Sequence, residues 1–310
     1  MLTEFYPYEL DNVLTITTTA LFFPISIFGS YVILFKTPPT IRAFKFPFFY
    51  LNASYQIGTF CIGVFSRIEI MLAANSICIN FSGLVLLFGL ITVYIEIFCA
   101  FFAVLSVVNA VFLSFLCRYC QVCHPKSLYS LYPSWQKAVN VGFLVATTVM
   151  TSVVVVILCA DEPAILREKQ TTVCFSHQAK PWLAVLVLYA TASLLLDYFF
   201  ICRVLWTMKS QISIMSQKTK EMQRMLTITL VISVLIPTVL GGGPIFVATY
   251  GVVANLDHAE VFFRFIFVAC IWQGLLNITA TIFLVRPYRD TLLSWLRLRK
   301  WKTVSVASTV

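Results

Sequence analysis

Charged residues are scarce in this sequence. They make up 11% of the 310 residues, whereas apolar residues make up 60%; a soluble domain has about 25% charged residues. So few charges cannot cover a water-soluble surface, and no connecting segment is long enough for a separate soluble domain. Uncharged runs of about twenty residues are typical of membrane-spanning helices rather than of barrel strands. The sequence therefore predicts an all-α integral membrane protein.

The groups that most enzymes use are also missing. The three histidines lie in separate connecting segments, and no glycine-rich phosphate loop or pair of carboxylates occurs in a common frame. Cys117, Cys120, Cys123 and His124 have a spacing that a metal site can use. These cysteines are expected one per turn at the point where a helix leaves the membrane. That position favours unmodified thiols or palmitoylation over a metal site. We predict no enzymatic activity, no metal site and no cofactor.

Hydropathy predicts seven membrane-spanning helices. The start of the third helix is inferred from its length. Gly83 to Cys117 as one helix would measure about 52 Å, far more than a hydrocarbon core of about 30 Å. Gly83 to Thr92, which contains two glycines, is therefore interpreted as an apolar outer loop. The seven predicted spans are Val13 to Phe35, Phe46 to Ala73, Tyr94 to Cys117, Val139 to Ala160, Pro181 to Leu205, Met225 to Thr249 and Val261 to Val285.

The lysines and arginines predict the orientation. With the N-terminus outside, seventeen lie in inner segments and only Arg167, Lys169 and Lys180 in outer ones, and cytoplasmic segments carry such an excess. Cations confined beside lipid also argue against nucleic acid as a partner. We predict a seven-transmembrane helix bundle (residues 13–288) with a short extracellular N-terminus (1–12) and a cytoplasmic tail (289–310). The seventeen inner cations are Lys36, Arg42, Lys45, Arg118, Lys126, Lys137, Arg203, Lys209, Lys218, Lys220, Arg224, Arg286, Arg289, Arg297, Arg299, Lys300 and Lys302.

Two segments at the inner side extend the spans. In Met215 to Arg224 the residues Met215, Thr219 and Met222 recur at helical spacing, so this basic segment is predicted to lengthen the sixth helix. Arg289 to Trp301 mixes leucines with basic residues and is interpreted as either an interfacial helix, which we favour, or a frayed tail.

Three stretches carry a resemblance to a known family: Lys36 to Asn52, Met215 to Pro237 and Val285 to Arg289. Together, in this order and spacing, they resemble the nematode serpentine chemoreceptors of the Str superfamily, most of all the Srh and Sri families. Gly83 to Phe98 is similar to their outer loop before the third span. The resemblance implies a GPCR-like fold and a G-protein-coupled receptor that detects a small molecule such as an odorant. It also implies a heterotrimeric G protein as partner and a plasma-membrane location in the sensory cilia of chemosensory neurons.

The sequence departs from rhodopsin-like receptors in two places. The third span ends Cys117-Arg118-Tyr119, with no acid beside the arginine, and the seventh ends Pro287-Tyr288 without an Asn-Pro-x-x-Tyr motif. The seventh span also has no lysine, so a retinal Schiff base cannot form there and the chain is not an opsin.

Placing an ionisable residue within a membrane span costs free energy, so each such residue requires an explanation. Arg67, Glu69, Glu96 and Arg264 are predicted in the outer thirds of their helices, where they either line a ligand cavity or reach the headgroups and pair with one another. Asp197 is predicted in the inner half of the fifth span. It either pairs with Arg203 or Arg118, and so holds the inner face closed, or makes a plain hydrogen bond.

Two outer features complete the candidate sites. Cys78 and Cys174 are the only cysteines clearly outside, and we predict a disulfide between them. Asn80-Phe81-Ser82 is an outer sequon and a predicted glycosylation site.

As a receptor, the protein would switch through its sixth span. Pro237 and the run Gly241 to Pro244 allow this helix to bend. The resemblance implies that its movement, with Arg118 and Asp197 as switch residues, exposes a groove for a Gα helix beside Lys218, Lys220 and Arg224. The alternative is a transporter or ligand-gated channel. An internal repeat or several charged residues near the membrane midplane would favour it, but we find no repeat, and only Asp197 is expected near the midplane.

Overall fold

The computed structural model describes residues 8–73, 76–160, 165–167, 170–175, 180–211, 217–244, 247 and 259–296. Within these ranges a helical bundle carries a small antiparallel sheet at one end, here called the sheet end. The bundle helices are α1 (Tyr8–Phe35), α2 (Lys45–Phe60), α3 (Leu90–Cys123), α4 (Pro133–Ala160), α5 (Lys180–Gln211), α6 (Gln217–Pro237) and α7 (Ala259–Leu284).

The lengths of the helices suit a membrane. Among the described residues, α1, α3, α4, α5 and α6 are each long and apolar enough to cross one. A sixth is added if α7 and the following α8 (Arg286–Trp295), which meet at a bend of 92°, are taken as one span. The helix α2 continues in a π-helical turn, Cys61–Phe65. Its combined 16 and 5 residues measure about 31 Å, a length close to the thickness of the hydrocarbon core.

The outer face of the bundle is apolar. On α4, Val141, Val145, Val149, Val153 and Val156 form a stripe at helical spacing, and each is about half or more exposed. Such a stripe on a soluble protein would be an aggregation liability, whereas lipid tails solvate it.

The interior combines apolar packing with polar contacts between helices. Phe22 of α1, Phe48 of α2, Leu113 of α3 and Leu230 of α6 belong to one buried cluster. Polar side chains tie the same helices together, since hydrocarbon offers no competing partner. These contacts join Ser26 to Asn52 (2.8 Å), Tyr50 to Ser106 (3.0 Å), Asn109 to Thr147 (2.6 Å) and Ser233 to Asn277 (3.1 Å).

The predicted second span is too long, and this corrects the placement of Arg67 and Glu69. Ser66 has extended backbone angles that end the π turn, and Arg67–Ala73 forms strand β1. It pairs with β2 (Ser76–Ser82), and β4 (Gln170–Phe175) joins β2 to β3 (Ile165–Arg167) in the order β1-β2-β4-β3. Charged residues and isoleucines alternate over residues 67–70. This period of two is typical of a strand, and it was the signal in the sequence that could have predicted β1.

The segment before α3 is a loop, as predicted. Gly83 and Gly89 have φ values of 102° and 84°, which favour glycine, and they bracket a short 3₁₀ helix, Leu84–Phe88. The helix α3 then begins at Leu90 rather than at Tyr94, and it continues two turns beyond Cys117 to Cys123.

The connecting segments rich in cations meet at the end of the bundle opposite the sheet, here called the basic end. Thr37 after α1 bonds to Tyr288 of α8 (2.8 Å), and Gln136 of α4 donates to the carbonyl of Ala43 (3.1 Å). The predicted lengthening of the sixth helix is confirmed from Gln217 onwards. The predicted tail helix begins earlier than expected, at Arg286, and its residues beyond 296 lie outside the described ranges.

Candidate functional site: a cavity beside the sixth helix

A cavity of about 170 Å³ lies in the bundle between α2, α3, α5, α6 and α7. Its walls are mostly apolar, with Ile62, Val104, Val107, Leu194 and Ile271 among them. An engineered apolar protein cavity of about 150 Å³ stays dry and binds benzene. The cavity therefore has the size and lining to hold one small apolar molecule.

The polar residues of α2 and α7 at the cavity bond to each other. The amide of Gln273 donates to the Tyr55 hydroxyl (2.9 Å), and that of Asn277 lies 3.4 Å from the same oxygen. A methyl group added at Gly241 of α6 would come within 2.9 Å of the Gln273 oxygen. The close approach of α6 to this pair thus depends on a glycine at position 241.

Asp197 lines the cavity from α5. The residue is 1% exposed, and its Oδ1 atom is buried with no hydrogen-bond partner among the described residues. The predicted pairing with Arg118 or Arg203 is wrong, because the described side chains form no ion pair with it. Arg203 instead lies exposed, with its guanidinium 5.6 Å from the ring centre of Trp206.

Pro237 ends the regular part of α6, and it too lines the cavity. Proline has no N–H to donate to the carbonyl four residues earlier, which is that of Ser233. The side-chain amide of Asn277 on α7 lies 3.4 Å from this carbonyl and donates to it. A π-helical turn, Thr238–Gly242, follows, and such turns are frequent at functional sites.

Arg118 connects α3 with α6 at the basic end. The side chain is 1% exposed, so it needs partners in place of the missing acid. Its Nη2 donates to the backbone carbonyl of Gln223 (3.0 Å) and to the Thr227 hydroxyl (3.1 Å). Met208 of α5 contributes a sulfur at 3.6 Å. A buried guanidinium thus joins three helices through acceptors that carry no formal charge.

The basic first turns of α6 lie beside α8. Arg224 is exposed and Lys220 is half-buried, while the Lys218 side chain lies outside the description. Glu221 pairs with Arg286 of α8 at 3.8 Å, with both side chains more than half exposed. Together with Pro38, Met225 and Pro287, these two residues line a second cavity of about 590 Å³ at this end.

Of the four predicted ligand-binding charges, only the Glu96 side chain lies within the part of the chain that the structure describes. Arg67 and Glu69 lie on β1, and Arg264 lies on α7, but their side chains are outside the described part. Glu96 of α3 is 2% exposed and accepts a hydrogen bond from Ser66. It is not among the described lining residues.

The sheet contains both cysteines of the predicted disulfide and corrects the predicted glycan. Cys78 takes part in a disulfide, and the register of β2 and β4 places Cys174 directly opposite it. The Cys174 side chain is outside the description, so the pairing of these two residues stays a prediction. Asn80 is 2% exposed and its oxygen accepts from Thr172 (3.3 Å). A buried amide is not accessible to a glycan, so the predicted glycosylation is wrong in this fold.

The cysteines at the basic end are free thiols. Cys117 and Cys120 are buried, and the Cys123 sulfur lies 3.3 Å from the Thr207 hydroxyl of α5. Among the described residues, no group of three or more His, Cys, Asp or Glu side chains is placed to hold a metal.

Sequence reasoning missed the central cavity and the Arg118 contacts. Tyr55 and Gln273 are separated by more than two hundred positions, and only packing brings them together. The available signal was the presence of Gln273 and Asn277 in an otherwise apolar span, which indicates hydrogen bonds between helices.

Comparison with known proteins identifies the family. The family model described as "Serpentine type 7TM GPCR chemoreceptor Srh" matches residues 9–298 of the chain. A search of curated proteins found no match. The matched range includes every bundle helix and α8 except the first residue of α1.

Proposed function

The chain belongs to the Srh family of serpentine type 7TM GPCR chemoreceptors, and from that premise we propose that it binds a small molecule with an apolar body in the central cavity and activates a heterotrimeric G protein. The protein is a multi-pass membrane receptor with a seven-helix fold. The proposal includes an external sheet end and a cytosolic basic end, in the plasma membrane of sensory cilia. The grouping of cation-rich connections at one end supports this orientation.

The observation that carries the proposal is that the cavity and the bend of α6 share residues. Pro237, Gly241 and Gly242 line the cavity and also form the end of α6 and its π turn. A molecule in the cavity therefore contacts the part of α6 where proline removes one helical hydrogen bond. A ligand shifts an equilibrium between two packings only if it binds them unequally, and contact with the element that moves provides such a difference.

The contacts of Arg118 with α6 lie at the basic end of this helix, away from the bend. Thr227 is ten residues before Pro237 on the same helix, which is about 15 Å of rise. Displacement of α6 at the bend moves Thr227 and the Gln223 carbonyl away from Arg118. The second cavity and the basic residues Lys218, Lys220 and Arg224 then border the space that opens, where we place the C-terminal helix of a Gα subunit.

A cavity-filling substitution tests ligand binding. Ala190 lines the cavity from α5, and Ala190→Leu is expected to abolish the response to any small volatile found in a screen of alcohols, ketones, esters and amines. The matched control is Ala146→Leu, because Ala146 lies exposed on α4 and the same added methylene groups face lipid. Equal responses from both variants, at equal surface levels, would remove the cavity as the ligand site.

Reversal of charge tests coupling. Replacement of Lys218, Lys220 and Arg224 by Glu is expected to abolish ligand-evoked G-protein activation, while fourteen remaining inner cations against three outer ones preserve insertion. Arg224 is exposed, and an exposed substitution changes stability by about ±0.5 kcal/mol. An unaltered response at normal surface level would contradict coupling through α6. A ligand-gated current or substrate flux without any G protein would instead identify a channel or transporter.

A further inference from the structure

We infer that the ligand of the central cavity is a small monoamine, whose protonated nitrogen pairs with the carboxylate of Asp197. The inference rests on the proposed function, because it concerns the same cavity. It adds the chemical class of the molecule and assigns Asp197 as a ligand-binding residue instead of a partner of Arg118.

Asp197 is a buried acid at the wall of the cavity. This acid is 1% exposed and surrounded by lipid-spanning helices, and its Oδ1 atom has no partner among the described residues. A buried charge without a partner is strongly unfavourable. No other described lining residue carries a charge. A cationic group in the cavity would offset the cost of burying the carboxylate.

Two of the neighbouring polar side chains, Tyr55 and Ser54, are engaged within the protein. The Tyr55 hydroxyl accepts from Gln273 (2.9 Å), and Ser54 donates to the carbonyl of Tyr50 (2.7 Å). Asp197 is the one charged acceptor among the described lining residues. A charge-assisted hydrogen bond to an ammonium group is about twice as strong as a neutral one.

The volume and the lining of the cavity limit the size and polarity of the rest of the ligand. A volume of about 170 Å³ accommodates a body near the size of benzene. Ile62, Val104, Leu194 and Ile271 offer such a body only apolar contacts. A polar group placed against these side chains would stay unpaired, so most of the ligand is apolar.

A metal ion does not fit the same site. Calcium takes six to eight oxygen ligands, and magnesium requires a near-octahedral set. A single carboxylate in an apolar wall does not supply them. An organic cation needs only one acceptor and uses the apolar wall as well.

Binding of matched probes tests the inference without any G protein. The full-length receptor, purified in detergent, is heated with cyclohexylamine, benzylamine or cyclopentylamine, and with the alcohol of the same shape for each. Anything that binds the folded state alone raises the unfolding midpoint. We expect each amine that fits to bind about tenfold or more tightly than its alcohol.

The variant Asp197→Asn has nearly the same shape and removes a buried charge, so it is expected to fold. In this variant the preference for the amine should be lost while the affinity for the alcohol is kept. The matched control is Asp290→Asn on α8, which is expected to leave both affinities unchanged. If no amine binds wild type more tightly than its alcohol, or if Asp197→Asn keeps the preference, the amine inference is overturned.

These outcomes are separate from a failure of the proposed function. A receptor that activates a G protein through a neutral ligand, equally in wild type and Asp197→Asn, retains the proposed function and contradicts the inference. An amine that binds at Asp197 but gates a current without a G protein supports the inference and contradicts the proposed coupling.

Discussion

At the scale of single residues, Arg118 is a buried cation that neutral oxygen atoms stabilise. Hydrogen bonds to charged groups contribute about 1.5–3 kcal/mol each, so the carbonyl of Gln223 and the hydroxyl of Thr227 together hold α3 and α6 in the observed packing. The absence of an acid before Arg118 is therefore compensated by α6 itself.

Thr227→Val is expected to raise the basal activity of the receptor. The substitution removes one of the two oxygen acceptors of Arg118 and keeps the shape of the side chain, so it weakens the contact by about 1.5 kcal/mol. The population with α6 displaced then rises by about tenfold. G-protein activation without ligand, normalised to surface level, is the measurement.

Thr229→Val is the control for this prediction. Thr229 is also buried on α6, but its hydroxyl bonds to the Met225 carbonyl of its own helix. Equal basal activity in the two variants would show that Arg118 does not restrain α6.

At the scale of helices, glycines set how closely the bundle packs. A methyl group at Gly29 of α1 would lie 2.5 Å from Cδ1 and 2.6 Å from Cγ1 of Ile278 on α7. A methyl group at Gly142 of α4 would meet nothing within 4 Å. The same substitution therefore has opposite consequences on the two helices.

Gly29→Ala is expected to destabilise the protein by about 1–3 kcal/mol, because overpacking forces α1 and α7 apart. Gly142→Ala is expected to be neutral or to stabilise by about 0.5–1 kcal/mol, because alanine restricts the unfolded chain and favours helix. Thermal unfolding in detergent compares the two. A midpoint for Gly29→Ala at or above that of Gly142→Ala would contradict the close packing of α1 on α7.

At the scale of the whole molecule, the sheet joins two distant connections. Strands β1 and β2 follow α2, whereas β3 and β4 follow α4, and the β2–β4 pair aligns Cys78 with Cys174. A bridge between these residues would close a loop of 97 residues. On the chain-entropy model such a loop contributes up to about 4–5 kcal/mol.

Cys78→Ser is therefore expected to lower the unfolding midpoint, and non-reducing peptide mapping should find Cys78 joined to Cys174 in wild type. Cys202→Ser is the control, because Cys202 is a free and exposed thiol of α5. Free alkylation of both Cys78 and Cys174 without a reductant would contradict the bridge.

The orientation of the whole molecule is tested with two epitopes. A tag at the N-terminus should be labelled on intact cells, and a tag after Val310 only after permeabilisation. Labelling of both on intact cells is incompatible with an odd number of spans.

The long helices could be predicted from the sequence because the cost of placing polar groups in lipid acts on each segment separately. The strand Arg67–Ala73 was missed because its apolar residues continue those of α2, and the alternation that marks it covers few residues. The cavity could not be predicted, because Ser54, Ala103, Ala190 and Gly241 become neighbours only when five helices pack. The ion pair considered for Asp197 is not formed among the described side chains, because the sequence predicts the depth of this residue but not which side chains face it.

Because Arg118 bonds to a backbone carbonyl of α6, the structure predicts which mutations a genetic screen will find. Every amino acid at position 223 supplies the same main-chain oxygen, so helix-compatible alleles of Gln223 should be silent in a screen for constitutively active receptors. Alleles of Thr227 and Arg118 should appear in that screen. The contact is thus sensitive to mutation on α3 and at one α6 position only, although two residues of α6 take part in it.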